Sequence, residues 1–384
     1  MREETLAEAR AFANEHFDEA LDLLRTLGRI PAPSHDEGRR AEFILGWLQE
    51  RGASAAYIDD AKNVICPITS GCTPGDDGSK LAVFSAHTDV VFPDTTPLPL
   101  DERDGRIFCP GIGDDTANLV CLLLATAHLL AHPRPLRRGL LVVANACEEG
   151  LGNLAGTKAV FSAYEGRIAT FASLDCNLPE VVTGAVGSHR WRVTISTQGG
   201  HSWRNFGRAN AIEQMARLVC DLYGMELANI GGARTTINVG TIEGGSTVNS
   251  IAQHAQILFE YRSTSEQCLA EQRRRFEAVL ETHRAAGVQV TSEVVGVRPG
   301  MGAVDEDAHA SFVALCDDVV QSVSGLEPCH TDSSTDANVP LSLGIPATTV
   351  GAIVGGLAHT REEWVETESL RNGCAIALGL LLSE

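Results

Sequence analysis

The sequence predicts an α/β fold: a mixed, mostly parallel sheet flanked by helices, interrupted by an inserted α+β domain. Three observations carry that prediction. Short apolar runs of strand length end abruptly on histidine or carboxylate, as happens where loops leave the carboxyl edge of an open parallel sheet. Stretches with apolar residues three and four apart lie between them. Near Thr183 the texture changes to alternating strands with amphipathic helices, and from Asp305 the earlier pattern returns. The outer domain is therefore assigned residues 1–183 and 299–384, and the insert residues 184–298. A chain of 384 residues is long enough for two or three cores at roughly 150 residues per domain.

Taken in order, Glu3 to Leu27 has helical spacing (Leu6, Ala9, Phe12, Ala13, Phe17, Ala20), and Pro31-Ala32-Pro33-Ser34 ends it. A second helix is predicted from Glu37 to Arg51, extended chain from Tyr57 to Ile68, and a surface turn from Cys72 to Ser79. Leu81 to Ala86 is an apolar strand that runs into His87-Thr88-Asp89. An irregular passage to Cys109 follows, because Pro93, Pro97 and Pro99 oppose regular structure, and its length marks it as functional. Leu119 to Leu130 is apolar all round and predicts a buried helix, with Asp114 and Asp115 just before its N-terminus, where the helix dipole favours negative charge. Leu140–Ala144, Ile168–Leu174 and Ile345–Val350 are three more strand candidates, leading to Glu148-Glu149, Asp175 and His359. Inside the insert, strands are predicted at Trp191–Ser196, Thr235–Val239, Ala255–Tyr261 and Val288–Val295, and helices at Ala209–Tyr223 and Leu269–Ala286.

Fifty acidic against thirty basic residues give a formal charge of −20, which repels phosphate backbones and anionic lipid. No nucleic acid and no membrane is expected as a partner. Acidic residues occupy the N-terminus where a signal peptide carries apolar ones, and no uninterrupted apolar stretch approaches ~20 residues, so the expected location is cytoplasmic. Eleven cysteines without a paired-spacing framework fit reduced thiols used as small buried hydrophobes.

His87, Asp114, Glu149, Asp175 and His359 together form one ligand set for a pair of divalent ions. Mixed imidazole and carboxylate suits zinc, and manganese or cobalt can also be held. Two neighbouring cations repel, so one carboxylate should bridge them, and Asp114 is the candidate. The assignment is one ion on His87, Asp114 and Asp175, the other on Asp114, Glu149 and His359. Asp89 is placed to fix the tautomer of His87 through its far nitrogen. With Glu149 bound to metal, Glu148 is free to take a proton from a metal-activated water, which is the chemistry of amide or peptide hydrolysis. Blander readings compete. Glu148-Glu149 alone can be a solvated pair, Asp175 can be turn chemistry, and Arg262 can pair with an acid on the insert. His128 and His132, at helical spacing, are read as structural. Gly111-Ile112-Gly113 is a weak dinucleotide loop, since no strand leads into it and anions follow.

These residues resemble the M20 family of dinuclear zinc metallopeptidases, of peptidase T, carboxypeptidase G and aminoacylase type. The matches are His87-Thr88-Asp89, Gly113-Asp114-Asp115, Glu148-Glu149-Gly150, Ser173-Leu174-Asp175, Gly199-Gly200-His201-Ser202 and Ala358-His359-Thr360 with Glu363 four residues on. The resemblance covers nearly the whole chain. It implies a zinc exopeptidase-like catalytic domain, an insert that serves as lid and dimerisation domain, and a homodimer formed through it. It further implies that His201 stabilises the tetrahedral oxyanion and that Arg262 grips a substrate carboxylate, with Asn249 beside that pocket and Gly355-Gly356 lining it. Thr116-Ala117-Asn118 departs from the family, which usually has lysine after the aspartate pair. Asp175 stands where several deacylases have glutamate, closer to the peptidase T and aminoacylase type. The expected function is an exopeptidase of short peptides, alternatively an N-acyl-amino-acid amidohydrolase. A thiol hydrolase built on Cys147, or on Cys329 with His330, is the reading from another class.

Overall fold

The computed structural model describes residues 1–68 and 80–384, so the turn expected over Cys72–Ser79 lies outside the described residues. The chain divides into two compact units, Met1–Gly184 with Gly302–Glu384, and Ala185–Met301.

The first unit is built on an eight-stranded sheet of β1 (Tyr57–Ile58), β2 (Val64–Ile68), β3 (Leu81–His87), β4 (Leu140–Asn145), β5 (Ile168–Leu174), β6 (Glu180–Ala185), β7 (Cys329–Ser333) and β8 (Ala347–Val350). Its order is β1-β2-β4-β3-β5-β8-β6-β7. The four central strands β4, β3, β5 and β8 run parallel, while β2 beside β4 and β6 beside β8 are antiparallel. The central strands are buried almost throughout, which is why they read as unbroken apolar runs rather than as alternation. Their register levels the carboxyl ends: His87 pairs with Asn145, Ser85 with Ser173, and Leu174 with Val350. Chain leaving those ends is therefore delivered to one edge.

Three local expectations are corrected. The N-terminal helical stretch is two helices, Glu3–Glu15 and Phe17–Arg29, broken at His16, whose Nδ1 donates to the Phe12 carbonyl at 3.0 Å. The extended stretch from Tyr57 to Ile68 is a hairpin, because Asp59 accepts from the Asn63 backbone and side-chain amides at 2.9 and 2.8 Å and turns the chain. The proline-rich passage is not irregular to its end. Asp101–Arg103 and Arg106–Phe108 form a second hairpin, which joins Trp364–Glu366 and Gly355–Gly356 in a small sheet. Its turn is Asp104-Gly105, both with positive φ (51° and 72°), a combination that fits right-handed strand twist.

The apolar helix Asn118–Ala131 packs against β3 and the C-terminal helix Ser369–Leu381, with Asn118 through Thr126 fully buried. The second unit is an antiparallel sheet in the order Thr235–Gly244, His254–Ser263, Gly187–Ser196, Gln289–Arg298. Ala255, Ile257, Phe259 and Tyr261 point inward at every second position and share a core with Met215 and Leu218 of helix Ala211–Tyr223 and with Phe276 and Leu280 of helix Glu266–Ala285.

Candidate metal centre and active site

The five side chains assigned to the ions come from strand ends and loops of the first unit. His87 closes β3 and is 1% exposed, and its Nε2 lies 3.0 Å from Asp114 Oδ1. The other oxygen of the same carboxylate, Asp114 Oδ2, lies 3.1 Å from His359 Nε2, which is also 3.1 Å from Glu149 Oε1. Asp114 is thus shared between the two imidazoles, one on each oxygen. Ligand atoms of His87, Asp114 and Glu149 all lie within 4.8 Å of one another. Asp175, directly after β5, is half-buried and feels Asp114 as its strongest charged neighbour.

Several carboxylates outside the assigned ligand set hold it in place through main-chain amides. Asp89, fully buried, accepts from the Glu148 and Glu149 N–H groups at 2.9 and 3.0 Å and from the Ser34 hydroxyl at 2.6 Å. His87 Nδ1 is nearer to the main-chain oxygen of Asp89, at 3.0 Å, than to its carboxylate, at 3.5 Å. Both the main-chain oxygen and the carboxylate of Asp89 therefore face the far nitrogen of His87, and the carboxylate also serves the Glu148-Glu149 turn. Glu363, 1% exposed, accepts from the N–H groups of Gly111, Gly113 and Asp114, each at 2.8 Å, and so fixes the loop that presents Asp114. Asp115 accepts from the His87 N–H at 2.9 Å and Asn118 Nδ2 at 2.8 Å. Glu37, fully buried, accepts from the Cys147 N–H at 3.2 Å and the His35 N–H at 2.7 Å. Sequence reasoning gave Glu363, Asp115 and Glu37 no role in the site, because a carboxylate that bonds peptide groups needs no particular neighbour in sequence.

Crowding shows in the protonation chemistry. Burial raises Asp175 well above the usual carboxylate range, and Asp114 adds to the rise. Burial raises Glu149 too, against the hydrogen bond from His359. Of the three assigned ligand carboxylates, Asp114 goes the other way: burial opposes its charge, but the hydrogen bonds from His359 and His87 override that and hold it low. Asp114 and then Glu149 lift His359 to about 11. Burial pulls His87 down, and Asp114 and Asp89 more than reverse it. An anionic pocket that borrows protons in this way fits a divalent cation, and its oxygen and imidazole donors, with no thiolate among them, match zinc, manganese or cobalt.

Glu148 is 5% exposed and directly precedes Glu149 on the turn held by Asp89. Gly355 donates its N–H to Asn177 Oδ1 at 2.6 Å, and Gly356 pairs with Trp364 in the small sheet. The remaining residues lie on the inserted unit. His201 pairs with Ser250, and Ser202 N donates to the Asn249 carbonyl at 3.0 Å, so His201 and Asn249 share one exposed tip. Arg262 makes a two-point ion pair with Glu260, at 2.8 and 3.2 Å, which is the acid-pairing alternative weighed from the sequence. Cys147 is buried and its thiol is raised to about 12, by burial first and Glu37 second, so it is a poor nucleophile.

His87, Asp114, Glu149 and His359 meet at the carboxyl edge of an α/β sheet, with Asp175 within the electrostatic reach of Asp114, a donor set that a metal-dependent hydrolase can use. The profile of peptidase family M20/M25/M40 matches residues 83–383, and the chain belongs to that family. The acetylornithine deacetylase of Myxococcus xanthus is 27% identical over 349 residues, covering 86% of this chain and 87% of the relative. The succinyl-diaminopimelate desuccinylase of Corynebacterium glutamicum is 24% identical over 381 residues, 94% of this chain and 98% of that one. The solved structure of aminopeptidase PepT from Bacillus cereus shares the fold, with a TM-score of 0.72 at 22% identity over 96% of this chain and 99% of that chain.

Two outcomes are expected of this centre. Since the neighbouring carboxylates favour the protonated forms of His359 and His87, and an imidazole must be deprotonated to bind, metal uptake should release protons. Calorimetric titrations in buffers of different ionisation enthalpy measure this, and a heat independent of buffer would contradict it. Replacing Glu363 by alanine should weaken metal affinity about 10- to 100-fold by freeing the three amides of the Asp114 loop. Competition against a chromogenic chelator reads the change, and an unaltered affinity would remove Glu363 from the brace.

Proposed function

We propose that the chain is an exopeptidase of short peptides that works with two divalent ions, most readily zinc. One ion would be held by His87, Asp114 and Asp175 and the other by Asp114, Glu149 and His359. The observation that carries this reading is the shared Asp114 carboxylate, each oxygen facing a different imidazole. When bound, the ions supply a lowered pKa for water and polarisation of the scissile carbonyl. Glu148, next to a ligand on a turn pinned by Asp89, takes the proton from that water at its carboxylate and returns it to the departing nitrogen. His201, on the exposed tip it shares with Asn249, donates from its imidazole to the developing oxyanion. Release of an N-acyl group from an amino acid is the second reading, because the two curated relatives above are a deacetylase and a desuccinylase.

Glu148→Gln should lower kcat by at least about 10³-fold while bound metal stays at the wild-type level. Turnover near wild type in that variant would end Glu148's role as base. Assay of di- and tripeptides beside N-acetyl and N-succinyl amino acids separates the two substrate readings, and cleavage of the acyl compounds alone would end the peptidase one.

The inserted unit also supports a homodimer. The edge strand Thr235–Gly244 leaves one side unpaired among the described residues, and Ile242, Ile212 and Tyr223 are exposed there and on helix Ala211–Tyr223. Mixing inactive Glu148→Ala and His201→Ala variants should restore turnover only if His201 serves the neighbouring subunit, because a mixed dimer of that kind contains one intact site. No recovery under conditions of subunit exchange would confine His201 to its own subunit.

A further inference from the structure

Among the described residues, Asp336 is the one buried carboxylate near the centre with no task in the account above. It is 1% exposed, its Oδ2 accepts from Asn145 Nδ2 at 2.6 Å, and its Oδ1 accepts from the Thr157 hydroxyl at 2.5 Å. Those two partners stand on either side of the loop that carries Glu148 and Glu149. Asn145 is the last residue of β4, and its carbonyl accepts from the Thr88 N–H at 2.7 Å and hydroxyl at 3.0 Å, beside His87. Thr157 lies in the first turn of helix Ala155–Ala163, where the loop ends.

The loop needs holding. Cys147, Asn153 and Leu154 all have positive φ, of 59°, 60° and 58°, and for cysteine and leucine that conformation persists only where the surroundings impose it. One clasp closes the stem from β2's side: Asn63 accepts from the Ala146 N–H at 2.9 Å and donates to the Gly156 carbonyl at 3.0 Å, while Gly156 N–H meets the Ala146 carbonyl at 3.1 Å. A Cβ at position 156 would stand 2.2 Å from that carbonyl oxygen, so the stem can close this tightly only on glycine. Asp336 is the second clasp, supplied from a distant part of the chain. Burial and then the charge of Glu148 push its carboxyl up to about 7, in keeping with a position close to the base.

We propose that Asp336 is a positioning residue: by tying Asn145 to Thr157 it fixes the stem of the loop and so the place of the Glu148 carboxylate. The inference rests on Glu148 acting as the base. It goes beyond the ligand set, since Glu149 has a side-chain hold of its own through His359.

The test compares Asp336→Ala, Asp336→Asn and Thr157→Val with wild type and Glu148→Gln, at saturating zinc, reading kcat, KM, bound metal and thermal midpoint. Asp336→Ala should lose about 10- to 100-fold in kcat with KM within a few-fold and metal content retained, as misplacing a reacting group by about an ångström does. Asp336→Asn should fall less, because its carbonyl can still accept from Asn145 while its amide donates to the Thr157 hydroxyl. Thr157→Val, which removes one arm only, should give a smaller loss of the same kind and carries the test where Asp336→Ala does not fold. A lowered midpoint with wild-type kcat overturns the proposal, as does a loss of turnover that tracks loss of metal. Glu148→Gln at wild-type rate would instead overturn the reading on which it rests, and the two failures are told apart in one series.

Discussion

Repulsion among carboxylates packed at one sheet edge is the constraint from which the centre follows. Asp114, Asp115, Glu149 and Asp175 are all largely withdrawn from water, and charges of one sign in such a setting cannot all be kept. Burial therefore raises Asp115, Asp175 and Glu149, while Asp114 keeps its charge because an imidazole faces each of its oxygens. In the metal-free chain, protons on histidine and acid do the neutralising. Divalent cations can take over that duty, so binding of metal and loss of protons are two sides of one equilibrium.

A set of mutually repelling groups cannot orient itself, which explains the second layer of buried acids. Glu363 meets three peptide N–H groups and Asp89 meets two, and Asp115 and Glu37 each meet at least one. A peptide N–H is a donor that cannot ionise or swing away, so it satisfies a buried carboxylate and simultaneously freezes the loop that offers it. The level register of the parallel strands sets these loops at one edge, and the acids then fix them relative to one another. Asp336 differs only in reaching side chains instead of peptide groups.

The parallel strands were legible because burial on both faces gives unbroken apolar runs, and His87, Glu149 and Asp175 were legible because each closes or follows such a run. The insert showed itself by alternation, as half-buried strands must. Features set by a single local bond were not legible. The break at His16 depends on one imidazole meeting one carbonyl, inside a stretch whose spacing is helical on both sides. Asp104-Gly105 is a strong hairpin signal, but the prolines at 93, 97 and 99 drew the reading away from it, although their effect ends before Asp101. Glu37 and Asp115 were given no task because each accepts from a main-chain amide, which nearly every sequence position offers.

Arg262 shows how a family-like residue and an internal ion pair can describe the same side chain. Its guanidinium is taken by Glu260, yet Glu260 also accepts from Arg190 Nε at 3.3 Å. If Arg262 turned to a substrate carboxylate, Glu260 would keep the Arg190 contact and would not be stranded. The exchange replaces one two-point carboxylate contact by another of the same type, so its net cost is far smaller than that of breaking an isolated pair. Arg262 lies at a partly exposed position, and Arg190 is the more buried of the two. The more accessible cation is then the one free to change partner, and the less accessible one keeps the acid in place.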